Sequence, residues 1–198
     1  MTRFRSSFFA LLFLAGCASS SGAPAGAIPQ PDIAAAYIPL HSGSALSHAE
    51  GAAMVIAPGI AVTNGHNRNL VPPDRVIGEA RDYDLLFFRD PRNAQVMAAE
   101  PQLGGAVQAY GQGVDGDLRV AQGTVREIRT CSGCMAPAYF VFAGDAGPGF
   151  SGGPVLDPAG RLIGITFGYK NEGSERLIYA YPIARVRAEL SALAEPRK

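Results

Sequence analysis

From residue 52 onward, short apolar or alternating runs are broken at close intervals by Gly, Pro and Asp. Runs of this length predict strands, here over 52–56, 60–63, 75–78, 85–89, 107–110, 120–128, 139–142, 155–156, 162–167 and 177–181. Pro58-Gly59 and Asp157-Pro158-Ala159-Gly160 lie between neighbouring runs and have the composition of hairpin turns. One segment has a different period. Ile183, Val186, Leu190 and Leu193 fall on one stripe at helical spacing, which predicts a C-terminal helix over 183–194. Many short strands and a single late helix make an all-β sandwich or barrel the expected class. The turn-rich stretch 91–105 divides the chain into halves of about 33–95 and 105–182.

Composition changes this picture little. Hydrophobic residues make up 47% of the 198 and charged residues 17%, as in a globular chain. The formal net charge of zero leaves no electrostatic footprint for nucleic acid. The N-terminus changes more. Arg3 and Arg5 precede an apolar run, 8–15, that is too short to span a bilayer, so 1–16 reads as an export signal. The run ends in Leu14-Ala15-Gly16-Cys17, which resembles the lipobox of bacterial lipoproteins. That resemblance implies lipidation of Cys17 and, with Ala18 rather than Asp following it, an outer-membrane anchor facing the periplasm. The alternative is an ordinary signal peptide with a Cys at its cleavage site. Residues 17–32, rich in Ala, Ser, Gly and Pro, read as a flexible tether ahead of a domain over 33–198.

Cys131 and Cys134 form a Cys-x-x-Cys pair. In an oxidising compartment this spacing allows a local disulfide, and free thiols or thiol–redox work are the other readings. Two cysteines make a poor zinc site, because structural zinc takes four ligands, and no metal or organic cofactor is implied.

Three polar sites interrupt the strand pattern in an order that suggests chemistry. Gly149-Phe150-Ser151-Gly152-Gly153-Pro154 places a serine among glycines, where backbone N–H groups of Gly149 and Ser151 can converge on a carbonyl oxygen. Thr63-Asn64-Gly65-His66 places a histidine just past a strand end, a good position for a base. Asp82-Tyr83-Asp84 offers two carboxylates ahead of the apolar run Leu85-Leu86-Phe87-Phe88. Asp84 is favoured over Asp82 as the group that orients the base, because choosing Asp82 puts a second charge into a buried strand. His41 and His48 have no such context.

Together these blocks resemble the trypsin/chymotrypsin-like serine proteases, in the order His, Asp, Ser, over about 51–193. Leu162-Ile163-Gly164-Ile165-Thr166-Phe167-Gly168 resembles that family's cleft-lining strand. The resemblance implies two packed six-stranded β-barrels with the active site between them. It also implies a triad of His66, Asp84 and Ser151, and substrate contacts at Thr166, Phe167 and Gly168. Asp145 stands six residues before Ser151, where trypsin-like members carry the aspartate that pairs with substrate Arg or Lys. The substrate class implied is protein or peptide, and the competing class is a non-catalytic binding module on the same fold.

Two features depart from the family pattern. His66 and Asp84 lie close together in sequence, so the first barrel is expected to be abbreviated. Phe150 stands where the family has Asp or Asn, which fits either an enzyme needing no N-terminal activation or a distorted oxyanion site.

Overall fold

The computed structural model describes residues 21–43, 49–134 and 136–194. The export signal, Cys17 and the start of the tether lie outside the described residues. In chain order the elements are β1 (Ala23–Pro24), α1 (Pro31–Ala36), β2 (Tyr37–His41), β3 (Glu50–Ala57), β4 (Ile60–Thr63), two short 3-10 turns (Gly65–Leu70 and Pro73–Arg75), β5 (Val76–Glu79) and β6 (Leu86–Arg89). There follow β7 (Ala106–Gln112), β8 (Leu118–Arg129), β9 (Tyr139–Ala143), β10 (Pro154–Leu156), β11 (Leu162–Glu172), β12 (Glu175–Pro182) and α2 (Ile183–Ala194).

The second half is a closed barrel of six strands in the order β8-β7-β10-β11-β12-β9, with β9 returning to β8. Closure depends on the length of β8. Its first part, from Leu118 to Thr124, pairs with β7, and its second part, from Thr124 to Arg129, pairs with β9. The first half is a five-stranded sheet in the order β2-β3-β4-β6-β5, so it is the abbreviated one. Its central strands are apolar on both faces: β3 is buried from Gly51 to Ile56, and Leu86, Phe87 and Phe88 of β6 are buried. A strand covered on both sides reads as a continuous apolar run, as these do.

α2 folds back beside β11 and β12, and its apolar stripe reaches the core shared with the first sheet, where Leu193 lies against Gly78 of β5. Ile183 and Val186 are buried in the same core as Met54, Val62 and Phe87, with Leu190 and Leu193 packed against it. Arg185, outside the apolar stripe, is also buried. Its guanidinium donates to the carbonyl of Ala136 at 2.6 Å, lies 3.6 Å from Cys131 Sγ and sits 4.9 Å over the Tyr83 ring. Cys131 and Cys134 are joined as a disulfide.

The tether expectation is corrected here. From Ser21 the chain is docked on the second barrel: β1 pairs with β8 at Ala23–Val120 and Pro24–Arg119, and Ile28 is buried. Ala, Gly and Pro bury little surface themselves, yet their backbone can still complete an open strand edge, which composition does not reveal.

Candidate active site

β4 ends at Thr63 in the interior, and the chain leaves it through Asn64 and Gly65 into the 3-10 turn that carries His66. Asn64 Nδ2 donates to the Asp84 carbonyl at 2.9 Å, which ties this exit to the segment ahead of β6. The Asp84 carboxylate then meets the turn twice. Oδ1 accepts the backbone N–H of His66 at 3.0 Å, and Oδ2 lies 2.6 Å from His66 Nδ1. A Cβ on Gly65 would stand 2.8 Å from Asp84 Oδ1, so a larger residue there would have to displace the carboxylate. Asp82 is exposed and takes no part.

Partial burial pushes the Asp84 carboxyl up, but the ring of His66 and the backbone N–H groups of His66 and Gly65 outweigh it and hold it below the ordinary carboxylate value. The backbone N–H of Asp84 donates to Tyr181 Oη at 3.2 Å, and Tyr181 is in edge contact with Tyr83. Asp84 is therefore held from both halves of the molecule, its carboxylate from the first and its backbone N–H from the second.

Ser151 is brought to this pair by its own backbone. Its carbonyl accepts the N–H of Ala52 at 2.9 Å and Asn67 Nδ2 at 3.0 Å. Asn67 Nδ2 also donates to Thr63 Oγ1, whose hydroxyl donates to the Ala52 carbonyl. Sequence reasoning missed Asn67, one residue past the histidine. Its role depends on a partner 84 positions away, and no local pattern announces that. His66, Asn67, Gly149 and Ser151 line one cavity of about 390 Å³, with Glu50, itself ion-paired to His41. Among the described residues no hydrogen bond joins Ser151 Oγ to His66. Such contacts are often long in unliganded sites and tighten on substrate.

The backbone N–H groups around Ser151 alternate between paired and unpaired. The Phe150 N–H turns back to the Gly147 carbonyl at 3.1 Å and that of Gly152 goes to Thr166 at 2.8 Å. Those of Gly149 and Ser151 have no hydrogen-bond partner among the described residues. Gly149 holds a φ of +87°, open to glycine, with its carbonyl accepting from the Gln112 N–H. The Phe150 ring is buried in the second core.

The substrate-contact expectations divide. Thr166 and Gly168 line a cavity of about 10 Å³ beside Ser151, together with Ala146, Gly147, Tyr169 and Ile178. Phe167, at a bulge between them, stacks on Tyr181 at 4.0 Å instead. Asp145 is corrected: it is exposed and lines a different cavity, with Ser21, Asn171 and Arg176. The six-residue offset is kept in sequence, but the Asp145 carbonyl accepts the Gly22 N–H, and Asp145 is not among the residues lining the small cavity beside Ser151.

Similar folds occur among bacterial proteases. The inactive form of Rv3671c from M. tuberculosis H37Rv superposes with a TM-score of 0.64 at 20% identity, over 89% of this chain and 98% of that one. The HtrA-type protease AlgW bound to a tripeptide gives 0.66 at 20% identity, over 83% and 62%. The serine endoprotease from Yersinia pestis gives 0.65 at 18%, over 82% and 64%. These identities establish the shared fold. Among curated protein sequences none matches the chain. The sequence model of the trypsin-like peptidase domain matches residues 51–165, more than half of the chain. With its six-stranded barrel, abbreviated partner sheet and C-terminal helix, this chain belongs to the trypsin-like peptidase domain family.

Proposed function

We propose that the chain is a serine endopeptidase acting through His66, Asp84 and Ser151. The observation that carries this reading is the doubly bonded Asp84–His66 pair opening onto the cavity where Ser151 is fixed by Asn67 and Ala52. A hydroxyl is a weak nucleophile until a base takes its proton. His66 Nε2 takes the proton of Ser151 Oγ as the oxygen bonds to the scissile carbonyl carbon. Asp84 holds the Nδ1 proton and the resulting positive charge. The unpaired N–H groups of Gly149 and Ser151 bind the oxyanion. His66 then gives its proton to the leaving amine, and water repeats the sequence on the acyl-enzyme. A fluorophosphonate probe tests this directly. The folded wild type is expected to label and Ser151→Ala to show none, whereas an unlabelled wild type would overturn the reading.

Specificity follows from which side of Ser151 each cavity occupies. The leaving amine must reach His66, so the residue supplying the carbonyl lies on the other side, in the cavity that contains Ser151 without His66. At about 10 Å³ that space holds roughly one water. A peptide library is therefore expected to show cleavage after Gly, Ala or Ser rather than after the Arg or Lys that an aspartate on the floor of this cavity would select. Dominant cleavage after Arg or Lys would refute this.

We propose separately that Cys17 is lipidated and anchors the chain in the outer membrane facing the periplasm, a reading supported by Leu14-Ala15-Gly16-Cys17 followed by Ala18. The four residue-to-residue steps from Cys17 to Ser21 reach at most about 14 Å when extended, so the docked edge would stand close to the lipid surface. Metabolic labelling with a fatty-acid analogue should be lost in Cys17→Ser, and labelling that persists in that variant would refute the anchor.

A further inference from the structure

The loop that precedes Ser151 is short of internal bonds for the precision an oxyanion site needs. Between Ala146 and Phe150 its backbone is closed by three bonds, Phe150–Gly147, Gln112–Gly149 and Gly153–Phe150. The rest of its support comes from behind, from the segment that starts at Ser21. The Gly22 N–H donates to the Asp145 carbonyl at 3.1 Å. Gly22 has φ +74°, and a Cβ there would come within 2.7 Å of Phe150 Cζ. β1 and the Ala25 N–H, 2.9 Å from the Leu118 carbonyl, fix the segment to β8.

Arg176 binds the two together. Its Nη1 donates to Ser21 Oγ at 2.8 Å, to the Ala146 carbonyl at 3.2 Å and to the Asp145 carbonyl at 3.4 Å. Nε donates to Asn171 Oδ1 at 3.0 Å, and the guanidinium lies 4.9 Å over the Tyr169 ring, so the fork is itself held by the β11–β12 hairpin. A planar group with several donors suits this task, and lysine cannot reproduce it.

We infer that Ser21–Ala25 and Arg176 are a positioning clamp for the loop carrying the Gly149 and Ser151 donors. The inference rests on the peptidase reading of that loop. None of the clamp residues lines either cavity at Ser151; they act by fixing Phe150, which lies between the two donors. A displacement of about 1 Å at such donors is enough to cost up to about a hundredfold in rate.

The test uses the mature protein with Gly22→Val and Arg176→Ala, reading amide hydrogen exchange over residues 145–151 together with kcat and KM on a small-residue peptide. Exchange in the loop is expected to rise about tenfold while the β10–β11 core stays protected. A kcat fall of about tenfold or more with KM within about twofold would mark lost donor geometry rather than lost binding. Unchanged exchange in both folded variants would overturn the clamp, as would faster exchange with unchanged kcat. Exchange is measurable whether or not the protein hydrolyses anything. An inert wild type would therefore refute the peptidase reading while the loop measurement still decides whether the segment holds the loop.

Discussion

Asp84→Asn is expected to reduce kcat by about 10⁴-fold while leaving the protein folded. The reason lies in how the two carboxylate oxygens are used. Oδ1 is occupied by the backbone N–H of His66, and Oδ2 faces the ring Nδ1. An amide at this position keeps its oxygen on the backbone donor and turns its NH₂ toward Nδ1. The ring then accepts at Nδ1 and carries its proton on Nε2, where it cannot take one from Ser151. Fluorophosphonate labelling rates check the effect, and a variant within about tenfold of wild type would show that Asp84 does not orient the base.

The same substitution should change the response to acid. The Asp84 carboxyl is held below its ordinary value, so the stability it contributes is fully present above the usual carboxylate range. That contribution is lost as pH falls through the depressed folded value. Melting temperature measured from neutral into acid should therefore fall less steeply in Asp84→Asn than in wild type, and equal slopes would contradict the assignment.

What could be read in advance was whatever repeats locally. The continuous apolar runs of β3, β4 and β6 and the stripe Ile183, Val186, Leu190 and Leu193 reflect burial, which leaves a local mark on the sequence. β2 was missed because Pro39 interrupts its pattern; the strand is at the sheet edge, where a missing N–H is tolerated. The order His66, Asp84, Ser151 was visible as motifs, and choosing Asp84 over Asp82 followed from the cost of a buried charge. Asn67 and Arg176 were invisible, because each acts through partners far away in sequence: Ser151 for one, Ser21 and the Asp145 and Ala146 carbonyls for the other. Asp145 misled for the same reason. Offset along the chain does not determine which way a loop turns once a distant segment has taken its carbonyl.

Gly152→Ala probes the contact by which an abbreviated first half still brings His66 to Ser151. Gly152 has φ +83° and sits where the two halves meet, so a Cβ there would run into the Ala52 carbonyl and Thr63 Oγ1. Those atoms cannot give way independently. Ala52 also donates its N–H to the Ser151 carbonyl, and Thr63 Oγ1 accepts from Asn67. On the other side the Gly152 N–H is tied to Thr166, whose N–H returns to Gly153. Left-handed backbone for a non-glycine residue costs about 1–2 kcal/mol, and overpacking adds about 1–3 kcal/mol. A loss near 3 kcal/mol lowers the melting temperature of a domain this size by about 10 °C. Relief by separating the halves breaks the bonds that fix Ser151, so labelling by the probe should fall more than about a hundredfold even well below the melting temperature. An alanine variant that melts and labels like wild type would mean that the halves are not registered at Gly152, and that His66 is brought to Ser151 by some other contact.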